Sequence, residues 1–523
     1  MQDFPLTLER FLVHAAKWHP RAQVVTARED GAIDRLGYAE LRDRSLRVSS
    51  VLAELGVVFG DRVATLAWNT RSHMEVWYAI MGMGAVCHTL NPRLTAAQLG
   101  AIAAQGGCRV LVASADLAPL AHKIAESAIQ IDHVLIIDGE ARGGGRERPA
   151  TMAIEPALQK THGAVSWGGF DERSPSGLCF TSGTTGAPKG VTYTHRSSFL
   201  HTLRLLQADT LAPTAADSVL AVVPMFHANA WGLPFAVPAV GAKLVLPGRH
   251  ADGANLARLI AAECVTIAVG VPTVWLGLVE HLEATGGELP SLKRIVVGGT
   301  PLPPALMDRI ERRLGVTVQT SWGMTELSPS GTMALPNAPN RSAALSGRPA
   351  IGVDLLLTDA QGHALPEQRD VEGHLKVRGS SVVERYFGHE RSATDTDGWF
   401  DTGDLARIDR DGNLLITGRS KDLVKSGGEW INPAEIEAII GRLPQVSLAV
   451  VIGRTDPKWG ERPILLVELR DDQTLSDEAL LAPLRGKVAS WWIPDAVIRL
   501  QNMPLAGTGK IDKIRLRTEY GGG

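Results

Sequence analysis

Glycines, hydroxyl side chains and one lysine are concentrated in the stretch from Thr181 to Gly190. The apolar run 177–180 precedes it, which predicts a buried strand that leads into a polar loop. Glycine lets a backbone approach a ligand closely, and exposed N–H groups, hydroxyls and a lysine together cradle phosphate. The ordinary P-loop ends in Gly-Lys-Ser/Thr, whereas Lys189 follows Pro188 and precedes Gly190. The stretch is a phosphate loop of another kind or a flexible turn, and its many donors favour phosphate.

The composition is that of an ordinary globular protein. The chain has 523 residues, 45% of them hydrophobic and 21% charged, with a formal net charge of -3 and no dense Lys/Arg run. This balance provides no argument for a nucleic-acid partner. The N-terminus lacks the pattern of a signal peptide, and the longest apolar run, 265–279, is shorter than the ~20 residues of a membrane span. We therefore expect a cytoplasmic protein without a transmembrane segment.

Apolar strands alternate with amphipathic helices over most of the chain, which predicts an α/β fold of helix-covered, mostly parallel sheets. After about residue 347 short strands with tight turns predict a small antiparallel β subdomain. We expect an N-terminal domain of residues 1–417 that includes this subdomain at about 347–417. A polar hinge follows at 418–422, and a mobile α+β domain occupies 423–523.

Ligands of parallel sheets bind beyond the carboxyl ends of the strands. The strand 294–297 stops at the turn 298–301, and the strand 316–320 ends where Ser321 and Trp322 open a polar loop. The run Gly82–Cys87 nearly matches a dinucleotide motif. Because it follows a helix rather than a strand, we interpret its glycines as close packing, and oxidoreduction has no other support.

Five stretches occur in one order over nearly the whole chain, and together they resemble the adenylate-forming acyl-CoA synthetases. They are 181–190, 319–326, 399–404, 418–437 and 504–510. Within this superfamily, the segments 224–231 and 322–329 look like those of bacterial medium/long-chain fatty acyl-CoA ligases and of their methylthiopropionate-CoA ligase relatives.

The resemblance implies a two-step reaction with ATP, Mg²⁺ and coenzyme A as cosubstrate. A carboxylate attacks the α-phosphate of ATP, and the thiol of coenzyme A then displaces AMP. The residues implied in holding the phosphates are Thr181, Ser182, Gly183, Thr184, Thr185, Gly186 and Lys189. Glu326, with Thr184 or Thr325, is implied as the Mg²⁺ site, which suits a cation that prefers oxygen ligands.

The nucleoside would lie beyond these phosphates. Asp404 and Arg419 are implied at the ribose. The implied adenine contacts are Gly298, Gly299, Thr300 and the stacking ring of Trp322, and Gly323, Met324 and Thr325 are further implied cofactor-binding residues. The family usually has tyrosine where Trp322 occurs, so the stacking face is kept and the hydroxyl is lost.

Lys510 matches the family lysine that reaches the substrate carboxylate and the α-phosphate. His227 is implied near the carboxylate, and Phe226 and Trp231 along an acyl tunnel that Trp231 gates. Lys421 maps to the hinge of the swinging C-terminal domain. Gly427 and Gly428 are implied in the pantetheine channel.

Plain structural interpretations exist for the same residues. Without the family match Lys510 is an exposed lysine and Asp404 a turn aspartate. Glu326 is then a carboxylate at a helix start, and His227 and Trp231 belong to the core.

The first functional alternative is a ligase for a short thioether acid or an aryl acid. The others are an acyl-AMP module that loads a carrier protein and a non-catalytic nucleotide-binding regulator. The expected partner is a small carboxylic acid; peripheral membrane contact and a homodimer stay open.

Overall fold

A computed structural model describes residues 1–140, 149–161, 165–181, 188–338, 341–427, 429–470, 473–506 and 510–522. The predicted phosphate contacts Ser182–Gly186 and the channel residue Gly428 lie outside these ranges. Up to residue 194 the elements are α1 Glu9–Trp18, β1 Gln23–Ala27, β2 Ile33–Gly37, α2 Tyr38–Glu54, β3 Arg62–Leu66, α3 Arg71–Gly82, β4 Val86–Thr89, α4 Ala96–Gly106, β5 Val110–Ser114, α5 Ala118–Ser127, β6 His133–Ile137, β7 Ala150–Ala153, α6 Ile154–Lys160, β8 Pro175–Phe180 and β9 Gly190–Thr194.

The middle of the chain continues this alternation. Its elements are α7 His195–Leu205, β10 Ser218–Ala221, α8 Leu233–Ala239, β11 Lys243–Leu246, α9 Gly253–Ala262, β12 Ile267–Gly270, α10 Pro272–Thr285, β13 Arg294–Val297, α11 Pro304–Leu314, β14 Thr317–Gly323, β15 Ser330–Met333 and β16 Arg348–Pro349.

Short strands dominate the remainder. The elements are β17 Val353–Thr358, β18 Glu372–Gly379, β19 Phe400–Ile408, β20 Leu414–Arg419, β21 Val424–Ser426, β22 Glu429–Ile431, α12 Pro433–Ile440, β23 Val446–Asp456, β24 Gly460–Leu469, α13 Asp477–Leu481, β25 Val497–Arg499 and α14 Lys513–Tyr520.

One sheet has the order β7-β6-β5-β3-β4-β8-β9 and is parallel as far as β8. β9 is antiparallel to β8, with Phe180 opposite Gly190. The predicted phosphate loop is therefore the connection of a hairpin, and the predicted strand before it is confirmed. The glycines of the dinucleotide-like run are close-packed, because a Cβ on Gly82 would lie 2.5 Å from the ring of Trp167.

A second sheet has the order β16-β15-β14-β13-β12-β10-β11-β1-β2. Its central strands β14 to β1 are parallel, so their carboxyl ends share one edge. The prediction that Ser321 and Trp322 open a loop is wrong, because β14 continues to Gly323. Beyond the end of β13, Trp322 pairs with Thr332 of the antiparallel strand β15, which supplies the ladder bonds that β13 no longer can.

Strands β17 to β20 form an antiparallel sheet, which confirms the predicted β subdomain. Strands β21 to β25 form another sheet, flanked by α12 and α14. The chain passes from one sheet to the other over residues 420–423, which overlap the predicted hinge 418–422, and the domain bounds stay a prediction. In the described ranges, no helix is both long and apolar enough to cross a membrane.

Candidate active site

Asp404 and Arg419 face each other on adjacent strands. They are opposite residues in the β19–β20 ladder, and Arg419 Nε lies 3.0 Å from Asp404 Oδ1. The second carboxylate oxygen, Oδ2, accepts a hydrogen bond from the indole N–H of Trp322 at 2.9 Å. Each carboxylate oxygen has a further lone pair. Asp404 is thus held from both sides and can still accept a sugar hydroxyl.

Arg419, Trp322 and Lys510, which the sequence predicts as separate ligand contacts, all act on Asp404. Its side chain is 3% exposed, and burial raises the pKa of Asp404. The charges of Arg419 and Lys510 and the Trp322 hydrogen bond act in the opposite direction. A buried carboxylate is retained where cations and donors compensate its lost hydration. Asp404 therefore depends on three side chains from β14, β20 and the C-terminal region.

Trp322 lies within the protein rather than on an open loop. Its side chain belongs to the same hydrophobic cluster as Val353 and Phe400, and a Cβ on Gly331 would lie 2.5 Å from its ring. The sequence predicted an adenine-stacking face here, and stacking stays a prediction. The sequence did not reveal that the indole N–H orients Asp404. The residue type could have indicated this hydrogen bond, because an indole carries an N–H donor that a phenyl ring lacks.

The segment after Trp322 is fixed by backbone contacts. The amide of Met324 donates to the carbonyl of Pro329 at 3.0 Å, which closes the turn that begins at Gly323. Thr325 is buried, and its carbonyl accepts from the hydroxyl of Tyr193 at 2.9 Å. The predicted nucleotide contacts 323–325 therefore occupy one braced turn immediately before Glu326.

Gly298 and Gly299 follow β13, and two larger predicted site residues lie against them. A Cβ on Gly298 would lie 2.9 Å from the indole of Trp231, and one on Gly299 would lie 3.8 Å from Cε of Lys510. Gly299 also has φ of +85°, a conformation that glycine adopts readily. Together with partly buried Thr300, the glycine pair forms a floor beneath Trp231 and Lys510.

Trp231 is presented by a left-handed turn. The residues Ala228 to Trp231 have φ values of 44°, 53°, 46° and 54°. Each residue of left-handed helix costs roughly 1–2 kcal/mol for an L-amino acid, and strain of this kind clusters at functional sites. Nothing in the composition of this segment predicts it. The turn directs the indole onto the glycine pair, with its other contacts in the main hydrophobic core.

Lys510 and His227 lie close enough to influence each other electrostatically. Burial and the positive charge of Arg419 lower the pKa of Lys510 to about 8, against the opposing effects of Asp404 and Glu326. Burial and the charge of Lys510 lower the pKa of His227 to about 4. At neutral pH the lysine is mostly a cation, and the imidazole is neutral with one N–H donor. The structure thus brings the predicted catalytic residues 227, 326 and 510 into one region.

Glu326 is reached by a residue that the sequence interpretation missed. Its Oε1 accepts a hydrogen bond from the hydroxyl of Tyr386 at 2.9 Å. Lys189 Nζ lies 4.8 Å from the centre of the Tyr386 ring, in a cation–π contact. Tyr386 therefore connects the predicted phosphate lysine to the predicted metal carboxylate. The position of a tyrosine 60 residues beyond Glu326 becomes informative only once the fold is known.

The two ends of the phosphate loop are held together. The amide of Thr181 donates to the carbonyl of Lys189 at 2.9 Å. The amide of Phe387 donates to the carbonyl of Gly190 at 2.7 Å, next to Tyr386. The loop therefore begins and ends beside the aromatic residues that lead to Glu326.

The remaining predicted residues lie at the edges of this region. Phe226 is buried, and its ring contacts Trp68, with centroids 6.3 Å apart, and the guanidinium of Arg93. The ring of Phe226 thus contacts Trp68 and Arg93, whereas the indole of Trp231 lies against Gly298 and Gly299. Gly427 has φ of +60°, and a Cβ there would lie 2.7 Å from the ring of Trp459, so this position requires glycine; the channel stays a prediction.

The donor set at Glu326 fits Mg²⁺. In the parts of the chain that the structure describes, no group of three or more His, Cys, Asp or Glu residues is placed to hold a metal. Mg²⁺ commonly keeps several waters and binds through one or two carboxylates together with substrate phosphates. Glu326, one buried carboxylate oriented by Tyr386, meets that requirement.

Comparison with protein-family models matches residues 12–387 to the AMP-binding enzyme model and residues 435–510 to the C-terminal domain of AMP-binding enzymes. The chain is 39% identical to 3-methylmercaptopropionyl-CoA ligase of Ruegeria lacuscaerulensis, covering 99% of this chain and 98% of that protein. It is 40% identical to medium-chain-fatty-acid–CoA ligase of Ectopseudomonas oleovorans, covering 99% and 96%. It is 39% identical to long-chain-fatty-acid–CoA ligase of Thermus thermophilus, also covering 99% and 96%.

Solved structures agree with these relationships. ATP-bound MatB from Rhodopseudomonas palustris superposes with a TM-score of 0.86 at 26% identity, covering 99% of both chains. The anthranilate CoA ligase AuaEII, in complex with anthranoyl-AMP, superposes with a TM-score of 0.89 at 24% identity, also over 99% of both chains. The second likeness concerns the fold alone.

Proposed function

The chain belongs to the AMP-binding enzyme family, and we propose that its acid substrate is a medium- or long-chain fatty acid. The protein is an ATP-using acyl-CoA ligase that acts through an acyl-adenylate. The observation that supports an apolar acid is the position of Trp231. Its indole lies between the glycine pair 298–299 and the main hydrophobic core. A fatty acyl chain that displaced this indole would enter apolar surroundings, where each buried CH₂ contributes about 0.8 kcal/mol.

In the first step we assign Lys510 to the reacting centre. Its Cε lies 3.8 Å from a Cβ position on Gly299, and its ammonium group offsets the negative charge that develops as the carboxylate attacks the α-phosphorus. Such preorganised charge is commonly the largest single contribution to catalysis. His227, neutral at pH 7 because its pKa is about 4, donates its N–H to the incoming carboxylate. Asp404 and Arg419 hold the ribose, and the loop from Thr181 to Lys189 retains the leaving pyrophosphate.

Glu326 would hold Mg²⁺, with Thr184 or Thr325 as a second ligand. The ion supplies charge neutralisation at the phosphate oxygens. Tyr386 orients the carboxylate through its hydroxyl, and the backbone amide of Val383 donates to the carbonyl of Glu326 at 2.7 Å. Two contacts from the β subdomain thus fix the ligand before the substrate arrives.

In the second step the thiol of coenzyme A displaces AMP. We propose that the region after the hinge 418–422 rotates about Lys421 to admit the thiol past Gly427 and Gly428. In the described arrangement Lys510 lies within electrostatic reach of Asp404 and Glu326, which supports its role in adenylation. A second arrangement is therefore needed for a channel to form at the same place. We place the reaction in the cytoplasm, where its substrates are available.

A second candidate substrate is a short thioether acid of the 3-methylthiopropionate type. One observation favours it: the chain is 39% identical over 99% of its length to 3-methylmercaptopropionyl-CoA ligase of Ruegeria lacuscaerulensis. Aryl acids form a third class, because feruloyl-CoA synthases are 31% identical over 97% of this chain.

A pyrophosphate-release assay tests the assignment. Acids from C3 to C16, 3-methylthiopropionate and ferulate are compared with coenzyme A present and absent. A medium- or long-chain fatty acid ligase gives the highest kcat/KM above about C6, with each added CH₂ raising it up to about fourfold until the tunnel is filled. AMP release that depends on coenzyme A excludes a carrier-loading enzyme. A maximum at 3-methylthiopropionate or ferulate would contradict the fatty-acid proposal and leave the ligase activity intact.

A further inference from the structure

Asn69 joins the two large sheets at the carboxyl ends of their strands. It belongs to the connection between β3 and α3. In the other sheet, β10 and β11 pair as far as Leu220 and Val245, and Asn69 contacts the continuation of both strands. On the β11 side, the amide of Gly248 donates to the carbonyl of Asn69 at 3.0 Å. Ligands of parallel sheets bind at such strand ends.

The side-chain amide of Asn69 bonds to the continuation of β10. Its Nδ2 donates to the carbonyl of Ala221 at 3.0 Å and to that of Val223 at 2.8 Å. Its Oδ1 accepts from the amide of Met225 at 2.7 Å. Asn69 is 4% exposed. Two donors and one acceptor on so short a side chain are found in asparagine alone, so the residue type matches the three backbone groups that it meets.

The backbone groups that Asn69 binds lie beyond the sheet. The pairing of β10 with β12 ends with the bond from the amide of Val222 to the carbonyl of Val269, at 2.9 Å. The carbonyl of Val223 and the amide of Met225 come after this point, and both residues are buried. Buried backbone groups require a partner. Asn69 supplies it for both groups.

Backbone hydrogen bonds lead from this segment to His227 and Trp231. The carbonyl of Pro224 accepts from the amide of His227 at 3.1 Å, and the carbonyl of His227 accepts from the amide of Ala230 at 3.2 Å. Ala230 belongs to the left-handed turn that directs the indole of Trp231. The directions of both side chains therefore depend on where the segment 221–225 lies.

The neighbours of Asn69 in the chain hold it in place. The hydroxyl of Thr70 caps α3 by accepting from the amide of His73 at 3.2 Å. On the other side, the ring of Trp68 contacts the ring of Phe226 edge-on, with centroids 6.3 Å apart. Asn69 therefore acts on the segment before His227 from a fixed position at the start of a helix.

We propose that Asn69 is a positioning residue for the acid substrate, because its three side-chain hydrogen bonds fix the segment that directs His227 and Trp231. The proposal rests on the proposed function, in which these two side chains contact the acid. Asn69 acts through the backbone of residues 221–225 and not on the acid itself. Loss of its amide should therefore impair binding and choice of the acid and leave ATP binding unchanged.

Asn69→Ala tests this role in the pyrophosphate-release assay. We expect kcat/KM for the best acid of the panel to fall by roughly 10²-fold, the effect of a misplacement of about 1 Å, with KM for ATP unchanged. The ratio of kcat/KM for the best acid to that for propionate should fall by roughly tenfold. This ratio does not depend on how much of the enzyme is folded, so a loss of stability alone cannot change it.

Gln368→Ala is the matched control. The amide of Gln368 likewise donates to two carbonyls, those of Leu357 and Leu365, and accepts from the amide of Leu357. It lies in the β subdomain, so its removal should leave the acid ratio as in the wild type. Asn69→Ser retains a hydroxyl for part of the bonding and should give a ratio between those of the wild type and Asn69→Ala.

An unchanged acid ratio in both Asn69 variants would overturn the proposal, as would a ratio that falls equally in Gln368→Ala. Failure of both Asn69 variants to fold, measured by circular dichroism, would also overturn it, because Asn69 would then serve the fold as a whole. The best acid is taken from the wild-type panel. A preference for a thioether or aryl acid therefore contradicts the fatty-acid proposal without affecting this test.

Discussion

The indole N–H of Trp322 donates to Oδ2 of Asp404 at 2.9 Å, across 82 residues of chain. A hydrogen bond to a buried ionised carboxylate is worth about 1.5–3 kcal/mol. We expect Trp322→Phe, which keeps an aromatic face, to raise KM for ATP by roughly tenfold, at 1.4 kcal/mol per decade. Pyrophosphate exchange at varied ATP concentration measures this. Trp18→Phe, on an exposed tryptophan of α1, is the control, and an unchanged KM in Trp322→Phe would argue against the assignment of Asp404 to the ribose.

Lys510→Ala should separate the two half-reactions. Loss of a preorganised cation is expected to slow adenylation by about 10²-fold or more, while thioester formation from supplied acyl-AMP continues. Lys487→Ala, on an exposed lysine of the same C-terminal region, should leave both rates unchanged. Quenched-flow measurement of each half-reaction decides between these outcomes. Equal decreases in the rates of both half-reactions would contradict the role assigned to Lys510.

The pH dependence of adenylation follows from the same residue. The pKa of Lys510 is about 8, so the cation is present below that pH and is lost as the pH rises through it. We expect kcat/KM for adenylation to fall above about pH 8, whereas His227, with a pKa of about 4, stays neutral throughout. Lys510→Arg keeps its charge to much higher pH and should lose this alkaline decrease whatever its absolute rate. Persistence of the decrease in Lys510→Arg would assign it to another group.

Tyr386→Phe tests the link between the phosphate loop and the metal carboxylate. Removal of the hydroxyl takes one donor from Glu326, and outer-shell partners of this kind contribute about 10-fold or more to metal affinity. The Mg²⁺ concentration for half-maximal adenylation should rise by that order, with little change in KM for the acid. Tyr520→Phe, in the terminal helix α14, is the control. An unaltered Mg²⁺ requirement would contradict the assignment of Glu326 to the metal.

Lys421→Pro tests the proposed rotation. Proline fixes φ at about −65°, which should slow thioester formation more than adenylation. Lys421→Ala removes the same side chain but leaves φ free, so it separates a backbone effect from a side-chain effect. Stopped-flow rates of the two steps provide the comparison, and identical ratios in both variants would reject a hinge at this position.

Local sequence patterns were sufficient for the parts of the site that are built locally. The apolar run before Thr181 predicted a strand that enters a polar loop, and β8 confirms the strand. Strand and helix periodicity likewise predicted the parallel sheets and the antiparallel subdomain. Matches to family motifs indicated Lys510, Asp404 and Glu326, and the fold brings both carboxylates within electrostatic reach of Lys510.

The remaining features depend on contacts between distant parts of the chain. Trp322 was expected in a loop, but its pairing with Thr332 extends β14. Tyr386 meets Glu326 only after the β subdomain packs on the second sheet. The left-handed backbone at Ala228 and Ala230 opposes the local preference of alanine, so only tertiary packing can produce it.

The turn from Ala228 to Trp231 has a consequence for the evolution of this enzyme. Each left-handed residue costs roughly 1–2 kcal/mol. The backbone conformation of the four residues that orient the indole therefore costs about 4–8 kcal/mol in total. Glycine at position 228 or 230 relieves part of that energy, and it also frees the backbone that aims Trp231. Mutations at this turn that raise the thermal stability of the protein should therefore broaden the range of acids that it accepts. Selection for thermal stability and selection for acid specificity thus act on the same few residues in opposite directions.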